Sequence, residues 1–316
     1  MTMSRFVQFD RFGGPEVLTL VERSAPMPGP GEVRVRVHAA GLNPVDYKIV
    51  AYEQLAEAFG AVLPSGVGND FAGVVEELGD GVTAWRVGDR VYGGHRHGAL
   101  ADHLVIAADA LHRVPDALDL ATAGVLDVAA ATAAVTVRHI AAQPGETVLV
   151  SAAAGGVGLI VAQLLVRDGV RVLGTASTEN HPFLRELGVE PISYGAGLVD
   201  RIRAAAPEGV DAVLDNHGAP TLKAAAALGV NPDRVNTITG KDPDSAVLVA
   251  EHGYSALGGL SADPDDRARV AERVASGEIL VPIAGRYALE EVQAAYTELG
   301  GGHVRGKLVI ELVPAP

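Results

Sequence analysis

Over the first third of the chain hydrophobic positions alternate with polar ones in short runs, and glycine and proline interrupt the runs at close intervals. Arg5 to Phe9, Val17 to Glu22, Glu32 to Ala40, Ala72 to Leu78, Arg90 to Tyr92 and His103 to Ile106 each read as a strand, because a period of two buries one face of a pleated ribbon. Pro28-Gly29-Pro30-Gly31 and Gly79-Asp80-Gly81 supply turns between them, which suggests an irregular, barrel-like β unit. From about Ala121 the pattern changes. Alanine- and valine-rich helical segments alternate with apolar strands at 147 to 151, 170 to 175, Pro191 to Tyr194, Ala212 to Asp215 and Val235 to Thr239. That alternation builds a parallel, doubly wound sheet. Beyond Leu260, Asp263 to Glu272 reads as a polar helix, and Ile279 to Ile283 and Lys307 to Leu312 read as strands, the last rejoining the first unit. Val50 to Leu63 reads as one amphipathic helix.

The sharpest local signal lies where the strand Val148-Leu149-Val150 passes through Ser151-Ala152-Ala153-Ala154-Gly155-Gly156-Val157-Gly158 into an apolar helix at Leu159 to Val166. Gly155 and Gly156 permit a tight turn and close approach of a ligand, and Gly158 permits the helix to pack on its strand. Unsatisfied N–H groups at the helix start then face an anion. Ala152 stands where a full G-x-G-x-x-G motif has its first glycine. A second strand, Val170 to Thr175, completes a β-α-β unit of about 30 residues, the context that a dinucleotide-binding turn requires.

Composition narrows the partners. The 316 residues are 48% hydrophobic and carry a formal net charge of −14, so two ordinary domains with sizeable cores are available. The acidity and the lack of basic runs argue against nucleic acid or an anionic membrane surface. No run approaches the ~20 apolar residues of a membrane span, and the start, Met1-Thr2-Met3-Ser4-Arg5-Phe6-Val7, has no secretion-signal core, so a cytoplasmic protein is expected. There is no cysteine. Only histidine and carboxylate donors remain for a metal, and His95, His97 and His103 read as loop histidines, so no metal is expected.

Taken together, Gly41-Leu42-Asn43-Pro44-Val45-Asp46, Gly68-Asn69-Asp70-Phe71-Ala72-Gly73-Val74-Val75, Val87-Gly88-Asp89-Arg90-Val91, the Ala152-to-Gly158 loop and His303-Val304-Arg305-Gly306-Lys307-Leu308-Val309 give a sequence that resembles the zinc-independent medium-chain dehydrogenases/reductases, in particular the quinone oxidoreductase and enone reductase branch. The resemblance covers nearly the whole chain. It implies an α/β protein with a GroES-like β-rich catalytic domain from residues 1–122 and 265–316. A Rossmann domain of doubly wound parallel sheet follows from 123–264, with the cofactor in the cleft between the two. Zinc-dependent relatives use a cysteine at the catalytic metal and four more at a structural one, and this chain has none.

Cofactor choice is read at the end of the second strand of the β-α-β unit. An acid there accepts from the ribose 2′-hydroxyl of NAD. Here the strand ends Gly174-Thr175-Ala176-Ser177-Thr178, without a carboxylate. Two like charges ~4 Å apart cost about 4 kcal/mol at an effective dielectric near 20, so the absence of an acid admits NADPH. The resemblance implies that Ser177, Thr178, Asn180 and Tyr194 surround the 2′-phosphate and that Thr132 lies near the nicotinamide. Asn216 and Ile238 end parallel strands on the edge where ligands of open α/β sheets bind. With Asn43, Ala153, Gly155, Gly156, Val157, Gly158 and Lys307 these make up the expected cofactor-binding set. His217, beside Asn216, departs from the small residue usual in the family pattern and reads as an incidental loop histidine or a substrate contact.

At the reacting end the resemblance places Asn43 beside the nicotinamide ribose or the substrate carbonyl, and Asp46 reads as a residue that fixes the loop. Lys48 and Tyr52 follow closely and are the candidate proton donors, since both side-chain types start with pKa values near 10. Relatives that use a tyrosine carry it about two residues further on, where this chain has Gln54. A donor set without thiolates favours acceptors that delocalise the incoming charge, quinones or α,β-unsaturated carbonyls including enoyl thioesters, over simple alcohols. The alternatives are a non-catalytic NADPH-binding protein of crystallin-like or regulatory type, and a tailoring reductase of narrow specificity. A homodimer is expected, since the resemblance places the strand-like Ser255 to Leu260 where family members often pair sheets across a dimer axis.

Overall fold

The computed structural model describes residues 2–313; Met1 and residues 314–316, the ends of the expected catalytic domain, lie outside the described residues, as does the side chain of Pro264. The chain divides into two compact units. One runs to Val128 and adds Arg267–Glu278 and the segment from Pro282; the other comprises Ala129–Asp266 and Ile279–Val281.

The first unit is β-rich. Its main sheet runs Ile283–Ala288, Lys307–Glu311, Glu32–Leu42, Asp70–Leu78, Arg90–Gly94 and His112–Arg113, with His103–Ala107 also paired to Glu32–Leu42. A smaller sheet joins Thr19–Ser24, Met3–Phe9 and Ser65–Gly66. Glu32–Leu42 is the hub. It pairs antiparallel with three neighbouring strands, and Val33, Val35 and Val37 alternate into the core with Phe9, Phe71, Val91 and Ile310. Period-two patterning therefore turns directly into a buried face.

The second unit carries a parallel sheet in the order Glu190–Ser193, Arg171–Ala176, Thr147–Val150, Ala212–Asp215, Val235–Thr237. Thr147–Val150 is buried along its whole length, as expected of a central strand covered on both faces. Chain order reverses beside it. That reversal makes the crevice at its C-terminal end the natural ligand site of an open α/β sheet.

Three expectations are corrected. Val50 to Leu63 is not one helix: Pro44–Ala51 and Glu53–Phe59 are separate, because Tyr52 takes an extended conformation (φ −131°, ψ 112°) between them. Ile279 to Ile283 is not a strand, since pairing begins only at Ile283. Pro282 has no N–H for a ladder, and the amide side chain of Gln163 takes both backbone groups of Leu280, at 2.8 and 2.9 Å. Ser255 to Leu260 makes a single bridge to Asn236 and ends in a 3-10 turn at Gly259–Ser261. The Asn236 side chain binds the N–H and C=O of Leu257, occupying the groups that a strand would present. No helix among the described residues is long and apolar enough to cross a membrane.

Candidate active site

The glycine loop is shaped by three constraints. Ser151 donates its N–H to Leu214 O at 3.0 Å, Ala153 donates to Thr175 O at 2.9 Å, and Ala152 donates to Thr175 Oγ1 at 3.2 Å, so both neighbouring strands hold the loop. Ala152, at the motif's first glycine position, has φ +48°, a left-handed conformation unusual for a side-chain-bearing residue. A Cβ on Gly158 would lie 2.3 Å from Ala152 O and 3.0 Å from Ser151 O, so only glycine lets the helix approach its strand this closely. The helix Gly156–Arg167 starts at Gly155 as N-cap, and Leu159 N–H is already bonded to Gly155 O. The amides of Gly156, Val157 and Gly158 precede that first internal bond and have no backbone partner among the described residues, as the first donors of a helix do.

The adjoining strand ends carry the other expected residues of this unit. Ser177 and Thr178 follow Arg171–Ala176, and Asn180 donates to Ser177 Oγ at 3.0 Å, so amide and hydroxyl hold one another. Asn216 donates its N–H to Ser151 Oγ at 2.7 Å and its side-chain amide to Ser151 O at 2.9 Å. Ile238 N–H bonds Asp215 O at 3.0 Å. Thr132 is buried, and its hydroxyl would lie 2.9 Å from a Cβ at Gly259. Sequence reasoning missed what organises this edge, the buried carboxylate of Asp215. It accepts from Ser151 Oγ (2.8 Å), Thr237 Oγ1 (2.7 Å) and the N–H groups of His217 (3.0 Å) and Gly218 (2.9 Å). The signal was a lone acid closing an apolar strand.

In the first unit the structure brings Asn43 and Lys307 together. Asn43-Pro44 starts a helix, with Asn43 extended as N-cap and Pro44 supplying the preset φ of a first helical residue. Asn43 Nδ2 donates to Asp70 Oδ2 at 2.9 Å, and Lys307 Nζ donates to Asn43 Oδ1 while lying 3.4 Å from Asp70 Oδ2. An acceptor-only carboxylate and a donor-only ammonium leave the amide one orientation. Asp70, fully buried, also accepts the N–H of Val128 at 2.9 Å. Its motif was recognised in the sequence, but its role as the hub was not. Lys307, 4% exposed, belongs to this buried pair. Of the candidate proton donors, Tyr52 is 56% exposed at the junction of two helices and Lys48 is partly buried on the first of them.

Asp46 accepts the Asn43 N–H at 2.8 Å and the Asn69 side-chain amide. Burial, and then the nearby charge of Asp70, push its carboxyl up to about 7. Folding therefore gains from protonated Asp46 below the ordinary carboxylate range, and that gain is lost as pH rises through about 7. His38, His95, His97 and His103, all lowered mainly by burial, act with the opposite sign. The contribution of Asp46 is thus isolated as a difference. In urea unfolding, wild type should lose more stability between pH 5 and pH 8 than Asp46→Asn does; equal pH slopes would refute the assignment.

Comparison with known proteins matches residues 29–116 to the alcohol dehydrogenase GroES-like domain and residues 187–310 to the zinc-binding dehydrogenase family. A quinone oxidoreductase of Pseudomonas aeruginosa is 32% identical over 98% of this chain and 99% of its own. The chain belongs to the quinone oxidoreductase family of the medium-chain dehydrogenases/reductases. Among solved structures, the quinone oxidoreductase of Coxiella burnetii aligns with a TM-score of 0.88 at 29% identity, over 99% of this chain and 100% of that one. A mycobacterial protein solved in complex with NADPH aligns at 0.84 with 27% identity, over 97% and 99% of the two chains.

Within this quinone oxidoreductase family member the donors for zinc do not fit, although one matching family is named for that metal. Cysteine is absent from the chain, and among the described residues no three His, Asp or Glu side chains are grouped to hold an ion. His97 Nε2 lies 3.1 Å from Phe59 O, and His103 Nε2 lies 3.5 Å from Glu76.

Proposed function

We propose that this protein is an NADPH-dependent reductase of quinones, with activated C=C bonds of α,β-unsaturated carbonyls as a second acceptor class. The observation that carries the reading is the strand-end geometry of the second unit. Free amides at the start of a twelve-residue helix face the crevice at the reversal of strand order, beside a strand tip that ends in Ser177 and Thr178 rather than an acid. Such a site suits a phosphorylated dinucleotide. Gly156, Val157 and Gly158 would bind the pyrophosphate; Ser177, Thr178, Asn180 and Tyr194 would receive the 2′-phosphate. Bound there, NADPH supplies a hydride from its nicotinamide ring.

The chain's own residues then position and polarise. Asn43, locked between Asp70 and Lys307, keeps one Nδ2 hydrogen without a partner among the described residues. That hydrogen is available to a carbonyl oxygen as negative charge develops on it. Lys48 and Tyr52 are proposed to return the proton, Tyr52 from an exposed position where solvent can reload it. Thr132, Asn216, Ile238 and Lys307 complete the proposed set, in a homodimer whose assembly sedimentation will check.

Anaerobic assays should show NADPH consumed with a simple quinone. Ser177→Asp should lower kcat/KM for NADPH by roughly 10²- to 10³-fold, the repulsion of an introduced carboxylate from a 2′-phosphate, and leave NADH within about threefold. Tight NADPH binding without turnover on any quinone or enone would instead identify a non-catalytic binder.

A further inference from the structure

We propose that Tyr194 and His217 are the two walls of a slot for the adenine ring, which assigns His217 to coenzyme binding and rests on the NADPH reading above. Tyr194 directly follows the strand Glu190–Ser193, and His217 lies two residues beyond Ala212–Asp215. In the sheet those strands are separated by Arg171–Ala176 and Thr147–Val150. At ~4.8 Å per neighbour the strands stand roughly 14 Å apart. Yet the two rings approach with centroids 6.5 Å apart and planes inclined by 30°. Between them the two side chains therefore close much of that gap at the C-terminal ends of the strands.

The separation is informative. As an upper bound on the gap between the faces it falls just short of twice the ~3.4 Å rise of stacked bases, so the rings would part slightly to admit a base, and it stands at the wide end of the 4.5 to 7 Å range of direct aromatic pairs. The walls are held by their backbones. Arg201 ties down the Tyr194 loop by donating to the carbonyl oxygens of Ser193 (2.9 Å), Tyr194 (3.1 Å), Gly195 (3.2 Å) and Ala196 (2.8 Å). Asp215 holds the His217 N–H at 3.0 Å. The rings themselves stay accessible, Tyr194 at 48% exposure and His217 exposed as well. Among the described residues neither the Tyr194 hydroxyl nor a His217 ring nitrogen makes a hydrogen bond. Rigid loops that present two open, nearly parallel rings are a sequence-tolerant way to hold a base, because every base has a π face.

Calorimetry on the full-length chain separates this from the alternatives, with NADPH, adenosine 2′,5′-bisphosphate and reduced nicotinamide mononucleotide as probes. His217→Ala should weaken NADPH and the adenosine bisphosphate by the same factor, about 5- to 100-fold for the loss of one stacking partner. Affinity for the mononucleotide, which lacks adenine, should not change. His217→Phe should restore binding to within about threefold, and the thermal midpoint should stay put because the side chain is exposed. Adenosine bisphosphate binding that His217→Ala leaves within twofold, or a loss that phenylalanine does not restore, overturns the slot while the NADPH reading stands. If wild type binds neither NADPH nor the bisphosphate, the coenzyme reading itself falls and takes the slot with it.

Discussion

Gly158→Ala is expected to weaken NADPH binding by at least about 30-fold, roughly 2 kcal/mol, with a fall in thermal midpoint. The added methyl carbon would sit 2.3 Å from Ala152 O, 2.9 Å from Ala152 C and 3.0 Å from Ser151 O, all backbone atoms with no rotamer to escape into. Relief requires the loop to move. Its bonds to Leu214 and Thr175 oppose that, and Ala152 is already at φ +48°, a conformation that costs about 1–2 kcal/mol for a non-glycine residue. Helix propensity pulls the other way, since alanine gains about 1 kcal/mol over glycine in a helix interior. Gly301→Ala, at the last residue of the helix Val292–Gly301, is the clash-free reference for that substitution, because a Cβ at Gly301 meets nothing within 4 Å. Calorimetry with NADPH and melting curves for both variants decide the matter. Affinity retained within twofold in Gly158→Ala would mean that the amides of this turn do not grip the coenzyme.

Lys307→Met should destabilise the first unit by about 3–5 kcal/mol, the typical loss when one member of a buried ion pair is removed. Lys307 is 4% and Asp70 0% exposed, so the carboxylate left behind has no water to replace the ammonium. Asp70 would keep the Asn43 amide and the Val128 N–H as donors, one to each oxygen, which do not balance its charge. Asp127 aggravates this. It lies close enough to be raised to about 6 by burial and by the charge of Asp70. The double variant Asp70→Asn/Lys307→Met removes both charges and should recover most of the loss, because neutralising a buried pair together is far cheaper than halving it. Urea titration of wild type, single and double variants tests the cycle; a double variant as unstable as the single one would show that packing, not unpaired charge, is what Lys307 supplies.

Period and punctuation were enough to read much of this protein. The strands Thr147–Val150, Arg171–Ala176 and Ala212–Asp215 lie within a residue or two of the expected spans, because buried parallel strands are continuous apolar runs flanked by helix-forming sequence. The helix after the glycine loop starts at Gly156 rather than Leu159, since small residues hide a helix start from a hydrophobic pattern. Tyr52 breaks a helix that amphipathic spacing ran together, and Ile279 to Pro282 looked like a strand because an apolar run does not show what satisfies its backbone.

Local sequence determined the fold class, the family and the glycine turn between strand and helix, each of which shows in motifs whose residues are near one another in the chain. The hub of Asn43, Asp70 and Lys307 was decided by tertiary structure, since its members lie 27 and 237 positions apart. So was the meeting of Tyr194 with His217 across two intervening strands. Burial is the physical reason. The charge state of Asp46 and the single orientation of the Asn43 amide arise only when distant groups exclude water around them, and the left-handed backbone of Ala152 arises only when both neighbouring strands hold its loop.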